Sequence, residues 1–387
     1  MKILFVHNEY QQRGGEDIAL QLEQDALLRR GHEVYSIVFS NKWESENESR
    51  WAAAKNAIYN KSAAELLKDR IDETNPDLVH VHNIFFRASP SILYACEERN
   101  VPVVMTLHNY RLICANALLL RYNHVCENCV QKRLPLAGVI HKCYRNSFSE
   151  SLLVSSFSGF HKLAGTWKKK VNQYIVLTEF AKQKMLNSSL GLSEEQIVVK
   201  PNYTPDLGIG VLPRENYYLF VGRLSTEKGI ESLLEASVVF GFPLKIAGDG
   251  PQQDRLVSKY SAYSHIQFLG KQGRTEVLSL MKKCKAFIFP SIWYEGLPYT
   301  IIEAFSTGTP VLSSNLGAMK ELIVDNYNGF HFGAGEINSI GEAVKKFDQL
   351  NPAHLYEGAR KSYEENYTVE KHYDSILKIY QPLINGA

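Results

Sequence analysis

Residues 1–39 read MKILFVHNEYQQRGGEDIALQLEQDALLRRGHEVYSIVF. Residues 2–7 are a short apolar, β-prone run. Gly14 and Gly15 break it. From Ile18 to Leu28 apolar residues recur at helical spacing, and Gly31 stands where a helix would end. Residues 33–39 make the next strand. Strand, glycine turn, helix and strand in this order build a parallel sheet with helices on both faces.

The alternation continues outward. Strands are expected at 78–83 and 101–108, with a helix at 90–98 between them. A long insertion follows, then strand 174–178, helix 179–186 and strand 197–201. The polar stretch NYTPDLGIGVLPRE, residues 202–215, reads as a linker. Beyond it strands are expected at 217–222, 244–248, 266–270, 286–290 and 310–314, with helices in the gaps. No short repeat period occurs. The expected architecture is α/β, with two doubly wound Rossmann-like domains and a cleft between them. The N-terminal domain spans 1–202 and the C-terminal domain 203–366. Residues 367–387 form a last helix whose Val369, Tyr373, Ile376, Leu377 and Tyr380 share one face. That face must dock, and docking back on the N-terminal domain is the expectation. Ligands of such sheets bind outside the C-terminal ends of the strands.

Composition narrows the function classes. Of 387 residues, 45% are hydrophobic and 22% charged, which excludes a disordered or fibrous chain. The formal net charge of +2 gives no argument for nucleic acid. No run reaches the ~18 apolar residues of a membrane span. The N-terminus lacks the apolar core of a secretory signal, so a cytoplasmic protein is expected. The charge is unevenly spread, however. Residues 101–200 hold 13 basic and 5 acidic side chains.

Two constellations carry chemistry. In VGRLSTEKG, residues 221–229, Arg223 and Lys228 bracket a loop between a strand and a helix. Helix-end amides and two cations suit a diphosphate. The plainer reading is a solvated Arg and Lys. In EGLPYTIIEAFSTGTP, residues 295–310, Glu295 lies in a loop after a strand. Glu303 lies about two turns down a helix that starts near Pro298. Carboxylates there can accept hydrogen bonds from sugar and ribose hydroxyls. The plainer reading is a surface pair of glutamates.

Taken together these strings resemble a family 4 retaining glycosyltransferase of the GT-B fold. The signature EGLPxxxxEAxxxGxPV stands here as EGLPYTIIEAFSTGTPV. VGRLSTEKG, GDGP (248–251) and SSNLGAMKELIVDNYNGF (313–330) match as well. So do HNEYQQRGGED, DLVHVHN, TLHNYRLIC and the VKPN strand end. The resemblance implies roles. Arg223 and Lys228 would hold the donor's diphosphate, and Glu303 the ribose. Glu295 would touch the transferred sugar, with backbone contacts from Gly222, Gly296, Leu297 and Pro298. Gly14 and Gly15 would let the backbone approach the phosphates. His108 would touch the sugar. Asn202 is followed by Tyr203 where the family usually has glycine, so the hinge there departs from the pattern. His80 and His82 alternate along one strand and read mainly as packing and acceptor-cleft residues, with direct substrate contact as the other reading.

The implied reaction moves a sugar from a nucleoside-diphosphate-sugar, UDP by default, to a saccharide or lipid-linked saccharide of a bacterial surface glycan. Attack from the leaving-group face would retain configuration. No Asp-x-Asp motif occurs, and the alternating Glu44, Glu46 and Glu48 read as a solvated loop. Fixed cations are therefore expected to serve in place of a catalytic metal. A nucleotide-sugar epimerase and a non-catalytic sugar-nucleotide-binding subunit are the alternatives.

The insertion, about 110–170, holds Cys114, Cys126, Cys129 and Cys143. Four thiolates suit a structural zinc, with buried or reversibly oxidised thiols as the other reading. Residues 141–184 are basic and interleaved with Phe148, Leu152, Leu153, Phe157, Phe160, Leu163 and Trp167. Such a stretch can lie on an anionic membrane surface, which would make the enzyme peripheral on the inner face. A helical insertion with a solvated basic face is the alternative.

Overall fold

The computed structural model describes residues 1–9, 14–40 and 55–386. Residues 10–13 of the HNEYQQRGGED string and the alternating Glu44, Glu46 and Glu48 lie outside these. The chain divides into two compact units. One holds Met1–Leu119, Glu127–Asn202 and His372–Ala387, and the other Leu120–Cys126 and Tyr203–Lys371.

The first unit contains strands β1 (Lys2–Glu9), β2 (Glu33–Ser40), β3 (Leu78–Val81) and β4 (Val103–Leu107). Its remaining strands are β7 (Gln173–Val176) and β8 (Ile197–Val199), while the hairpin of β5 (Leu120–Arg121) and β6 (His124–Val125) between β4 and β7 in the chain belongs to the other unit. The sheet order is β2-β1-β3-β4-β7-β8, and every pair is parallel. Ile3, Leu4, Phe5 and Val6 of β1 are all fully buried. A strand covered on both faces needs such an unbroken apolar run. The edge strand β2 instead mixes exposed and half-buried positions.

The second unit repeats the plan with β9 (Tyr218–Val221), β10 (Leu244–Ala247), β11 (Ile266–Gly270), β12 (Ala286–Phe289), β13 (Val311–Ser314) and β14 (Gly329–Phe332). Its order is β11-β10-β9-β12-β13-β14, again all parallel. The strand order reverses direction between β9 and β12 here, and between β1 and β3 in the first unit. Crevices at such reversals are where doubly wound sheets bind ligands.

The last helix, Val369–Asn385, joins the first unit's core. Ile376, Ile379 and Tyr380 pack with Ile3, Phe5, Leu20, Leu27, Leu78, Val104 and Ile175. The apolar stripe read from sequence contained Ile376 and Tyr380 but omitted Ile379 and His372, both buried. Leu377 is only half-buried.

That core also holds charge. Glu23 and Lys200 are both buried, with Lys200 Nζ donating to Glu23 Oε2 at 2.8 Å. His372 of the last helix lies 3.2 Å from the same oxygen. His80 lies 2.8 Å from Glu23 Oε1, and the Tyr380 hydroxyl lies 2.6 Å from His80 Nδ1. Burial alone would raise the Glu23 pKa. Lys200 and His80 outweigh it and hold the carboxyl well below its ordinary range. Removing one partner of such a buried pair costs about 3–5 kcal/mol, so the network ties the last helix to the sheet.

The stretch read as a linker, 202–215, follows the boundary between the units and from Tyr203 onward belongs to the second. The Arg360 guanidinium holds Asp206 through both oxygens, at 2.8 and 2.7 Å. Arg214 donates to the carbonyls of Met281, Thr307 and Gly308. Tyr363 donates to Thr204 O at 3.1 Å. These polar side chains fasten the segment to the rest of the second unit.

Candidate functional site

In the second unit the residues picked from sequence lie at the strand reversal. VGRLSTEKG leaves the C-terminal end of β9, and the loop carrying Glu295 leaves the end of β12. Backbone contacts lock these loops together. Ile292 N–H donates to Glu227 O at 3.0 Å, and Ser291 Oγ to the same oxygen at 3.2 Å. Gly229 has φ +65°, and a Cβ there would stand 1.9 Å from Pro290 O. Only glycine permits that approach. The GDGP loop after β10 closes the other side. Leu224 N–H donates to Asp249 O at 2.7 Å, and a Cβ on Gly248 would meet Gly222 O at 1.9 Å.

This frame presents one central pair. Lys228 Nζ donates to Glu295 Oε1 at 2.7 Å. Ser291 Oγ and Trp293 Nε1 donate to the same oxygen, each at 2.8 Å. Glu295 is buried, and among the described residues its other oxygen has no protein partner. The Lys228 ammonium also lies 5.5 Å from the Trp293 ring centre and 5.6 Å from that of Phe289. Arg223 is exposed and makes no ion pair among the described residues. The amides of Gly296 and Leu297 likewise donate to no described group. Pro298 precedes the helix Tyr299–Ser306, as the sequence suggested, and no side chain caps that helix.

Glu303 is buried on this helix. Arg274 Nη2 lies 3.0 Å from its Oε1. Burial raises the Glu303 pKa, and Arg274 opposes that rise without cancelling it. Its second oxygen is left to accept hydroxyls. Sequence reasoning missed Arg274, Ser291 and Trp293. Arg274 opens the helix Arg274–Lys283 after the edge strand β11, with no motif around it to mark it.

In the first unit Gly14 precedes the helix Gly15–Leu28, and a Cβ there would meet no atom within 4 Å. Gly14 N–H donates to Asp17 Oδ2 at 2.7 Å, and Asp17 Oδ1 lies 2.9 Å from His7 Nε2. Half-buried His108 follows β4. Its Nε2 lies 3.0 Å from His82 Nδ1, with the rings stacked. Burial, then His82, holds the His108 pKa well below its ordinary value. His80 and His82 are buried, as packing residues would be, but both also join the charge network around Glu23.

The four cysteines of the insertion do not assemble into a zinc set. Among the described residues no three of their sulphurs share metal-ligand spacing. Cys126 belongs to the second unit, whereas Cys114, Cys129 and Cys143 belong to the first. The Cys114 thiol donates to Asn116 Oδ1 at 2.9 Å. Metal-ligand spacing occurs instead at Glu23, His80 and His82. There the Lys200 ammonium already supplies a cation, and Tyr380 lies at His80 Nδ1.

The basic segment is only partly solvated. Lys162 is buried, donating to Lys132 O at 3.2 Å, and burial lowers its pKa to about 8. Lys170 pairs with Glu97, Lys182 with Glu194 and Lys184 with Glu127. Lys142, Arg145, Lys168 and Lys169 remain exposed. Phe157 and Trp167 are buried. Phe148, Leu152, Phe160 and Leu163 of the helix Phe148–Leu163 are exposed, as are Leu136 and Ile140 just before it. No described helix is long and apolar enough to cross a membrane.

Comparison with known proteins follows the two units. The model of glycosyl transferases group 1 matches residues 209–362, and that of glycosyltransferase family 4 matches residues 24–204. An uncharacterized glycosyltransferase of Methanocaldococcus jannaschii is 24% identical over 99% of both chains. The phosphatidyl-myo-inositol mannosyltransferase of Mycobacterium leprae is 25% identical over 65% of this chain and 69% of its own. Among solved structures, HepE of Anabaena in complex with UDP superposes with a TM-score of 0.71 at 17% identity, covering 98% of this chain and 100% of that one.

The glycine contacts separate two kinds of position. Gly229→Ala should destabilise the second unit by about 1–3 kcal/mol, because it forces both a strained φ and a displaced loop. Gly14→Ala, with open space above it, should cost no more than about 1 kcal/mol. Urea unfolding of the two variants checks this, and equal losses would contradict the close packing at Pro290.

Proposed function

The chain is a glycosyltransferase with the GT-B architecture, related to the group 1 and family 4 models, and on that premise we propose a retaining, metal-independent enzyme of surface-polysaccharide synthesis. It moves a sugar from a nucleoside-diphosphate-sugar, preferably a UDP-sugar, to a saccharide or lipid-linked saccharide. The observation that carries the reading is the Lys228–Glu295 pair at the reversal between β9 and β12. A cation, a fixed carboxylate and two unpaired amides meet on one crevice edge. Departure of a nucleoside diphosphate builds negative charge on phosphate. Arg223, Lys228 and the amides of Gly296 and Leu297 answer it with fixed positive groups. Glu295 accepts a hydroxyl of the transferred sugar on its second oxygen. Glu303 accepts the ribose hydroxyls while Arg274 holds its first oxygen. The departing phosphate takes the acceptor's proton, so no protein base is required on the attacking side.

The relatives support the choice of substrates. HepE was crystallised with UDP, and the mycobacterial relative is named for transfer of mannose to a phosphatidyl-inositol lipid. A lipid-linked acceptor would suit an enzyme peripheral on the inner face of the cytoplasmic membrane. The exposed apolar stripe of Phe148, Leu152, Phe160 and Leu163, beside exposed Lys168 and Lys169, supports that placement.

Two measurements test the reading. Arg223→Ala should cut turnover about 10²-fold or more, the scale for losing one charge-stabilising donor. Nucleotide release assayed with and without acceptor measures it, and wild-type turnover would refute the phosphate role. Flotation with anionic vesicles tests the membrane surface. Wild-type protein should float, and a Phe148→Ser/Leu152→Ser/Phe160→Ser variant should not. Failure of the wild type to bind would end that part of the proposal.

A further inference from the structure

The first unit contains a polar chain that the transfer chemistry above leaves unused. It runs from a buried carboxylate to His108. Glu23 Oε1 lies 3.6 Å from His82 Nε2, and His82 Nδ1 lies 3.0 Å from His108 Nε2. His82 Nε2 is buried and has no hydrogen-bond partner among the described residues. The Glu23 carboxylate faces it at 3.6 Å, slightly beyond bonding length. At the far end half-buried His108 has no protein partner for Nδ1 among the described residues.

Two neutral imidazoles that share one hydrogen bond have two tautomeric arrangements. In one, His82 carries its proton on Nδ1 and donates to His108. His82 Nε2 then aims a lone pair at the Glu23 carboxylate, and His108 shows an N–H outward. In the other, His82 carries its proton on Nε2, toward the carboxylate. Its Nδ1 then accepts from His108 Nε2–H, and His108 shows a bare Nδ1 outward. The Glu23 carboxylate stays ionised because Lys200 and His80 outweigh the cost of burying it. Burial keeps both imidazoles neutral, with the His82 pKa brought down to about 3. A fixed negative charge 3.6 Å from His82 Nε2 therefore favours the second arrangement.

We infer that Glu23, acting through His82, is a positioning residue that holds His108 as the Nε2–H tautomer, so that Nδ1 accepts a hydrogen bond from a saccharide hydroxyl. This rests on the reading of His108 as a sugar contact and gives that contact its direction. A neutral His108 with a bare outward nitrogen cannot donate to a phosphate oxygen. It selects for a hydroxyl donor at that point.

The test is nitrogen NMR on the full chain labelled with ¹⁵N-histidine, assigned through loss of signals in His82→Gln and His108→Gln variants. The expected wild-type spectrum shows His108 protonated on Nε2 and bare on Nδ1, with His82 protonated on Nε2. A His108 signal protonated on Nδ1 would overturn the inference whatever the kinetics show. Glu23→Gln should mix the two His108 tautomers, and an unchanged spectrum in that folded variant would also overturn it. If Glu23→Gln does not fold, the wild-type spectrum alone still decides. Kinetics separate this inference from the reading beneath it. With the expected tautomer, His108→Gln should lower kcat at least tenfold. Full activity in that variant would remove His108 as a sugar contact, and with it the use assigned to the tautomer.

Discussion

The Lys228–Glu295 pair is the constraint from which the second unit's site follows. A lysine on the loop after β9 reaches a buried carboxylate on the loop after β12. These strands are sheet neighbours but stand 67 residues apart at that contact. The contact demands close loops, and close loops demand Gly229 under Pro290. Because Lys228, Ser291 and Trp293 all converge on one oxygen of Glu295, the carboxylate cannot rotate freely. A group held this way can meet a developing charge without reorganising, which is where most electrostatic catalysis arises.

The first unit solves a different problem. It buries a carboxylate, an ammonium and several imidazoles where an apolar core would be simpler. Ion pairs of this kind are seldom net stabilising against apolar replacements. What they add is a fixed field. Here the field lies at the C-terminal side of β3 and β4, beside His82 and His108. The last helix contributes His372 and Tyr380 to the same cluster, so its docking and the electrostatics of the sheet depend on one another.

Much of the architecture was legible because its signals are local. Alternating strand and helix patterns gave both sheets, and the EGLP string placed Glu295 and Glu303 on a loop and the helix after it. The rest depended on partners far along the chain. Lys200 meets Glu23 across 177 positions, and no pattern near either residue announces it. Arg274 finds Glu303 only because β11 lies at the sheet edge. The cysteines misled for the opposite reason. Their sequence proximity suggested a metal site, but among the described residues no three of their sulphurs share metal-ligand spacing. Four of the seven lysines of the basic segment likewise have carboxylate or carbonyl partners, which composition does not reveal.

A crystal structure of the full chain with a bound nucleoside diphosphate would show whether Arg223, Lys228 and Glu303 hold the donor. The diphosphate oxygens should lie within hydrogen-bonding distance of Arg223 and Lys228, and the ribose hydroxyls on Glu303 beside Arg274. A nucleotide seated elsewhere, with the Lys228–Glu295 and Arg274–Glu303 pairs untouched, would contradict that assignment.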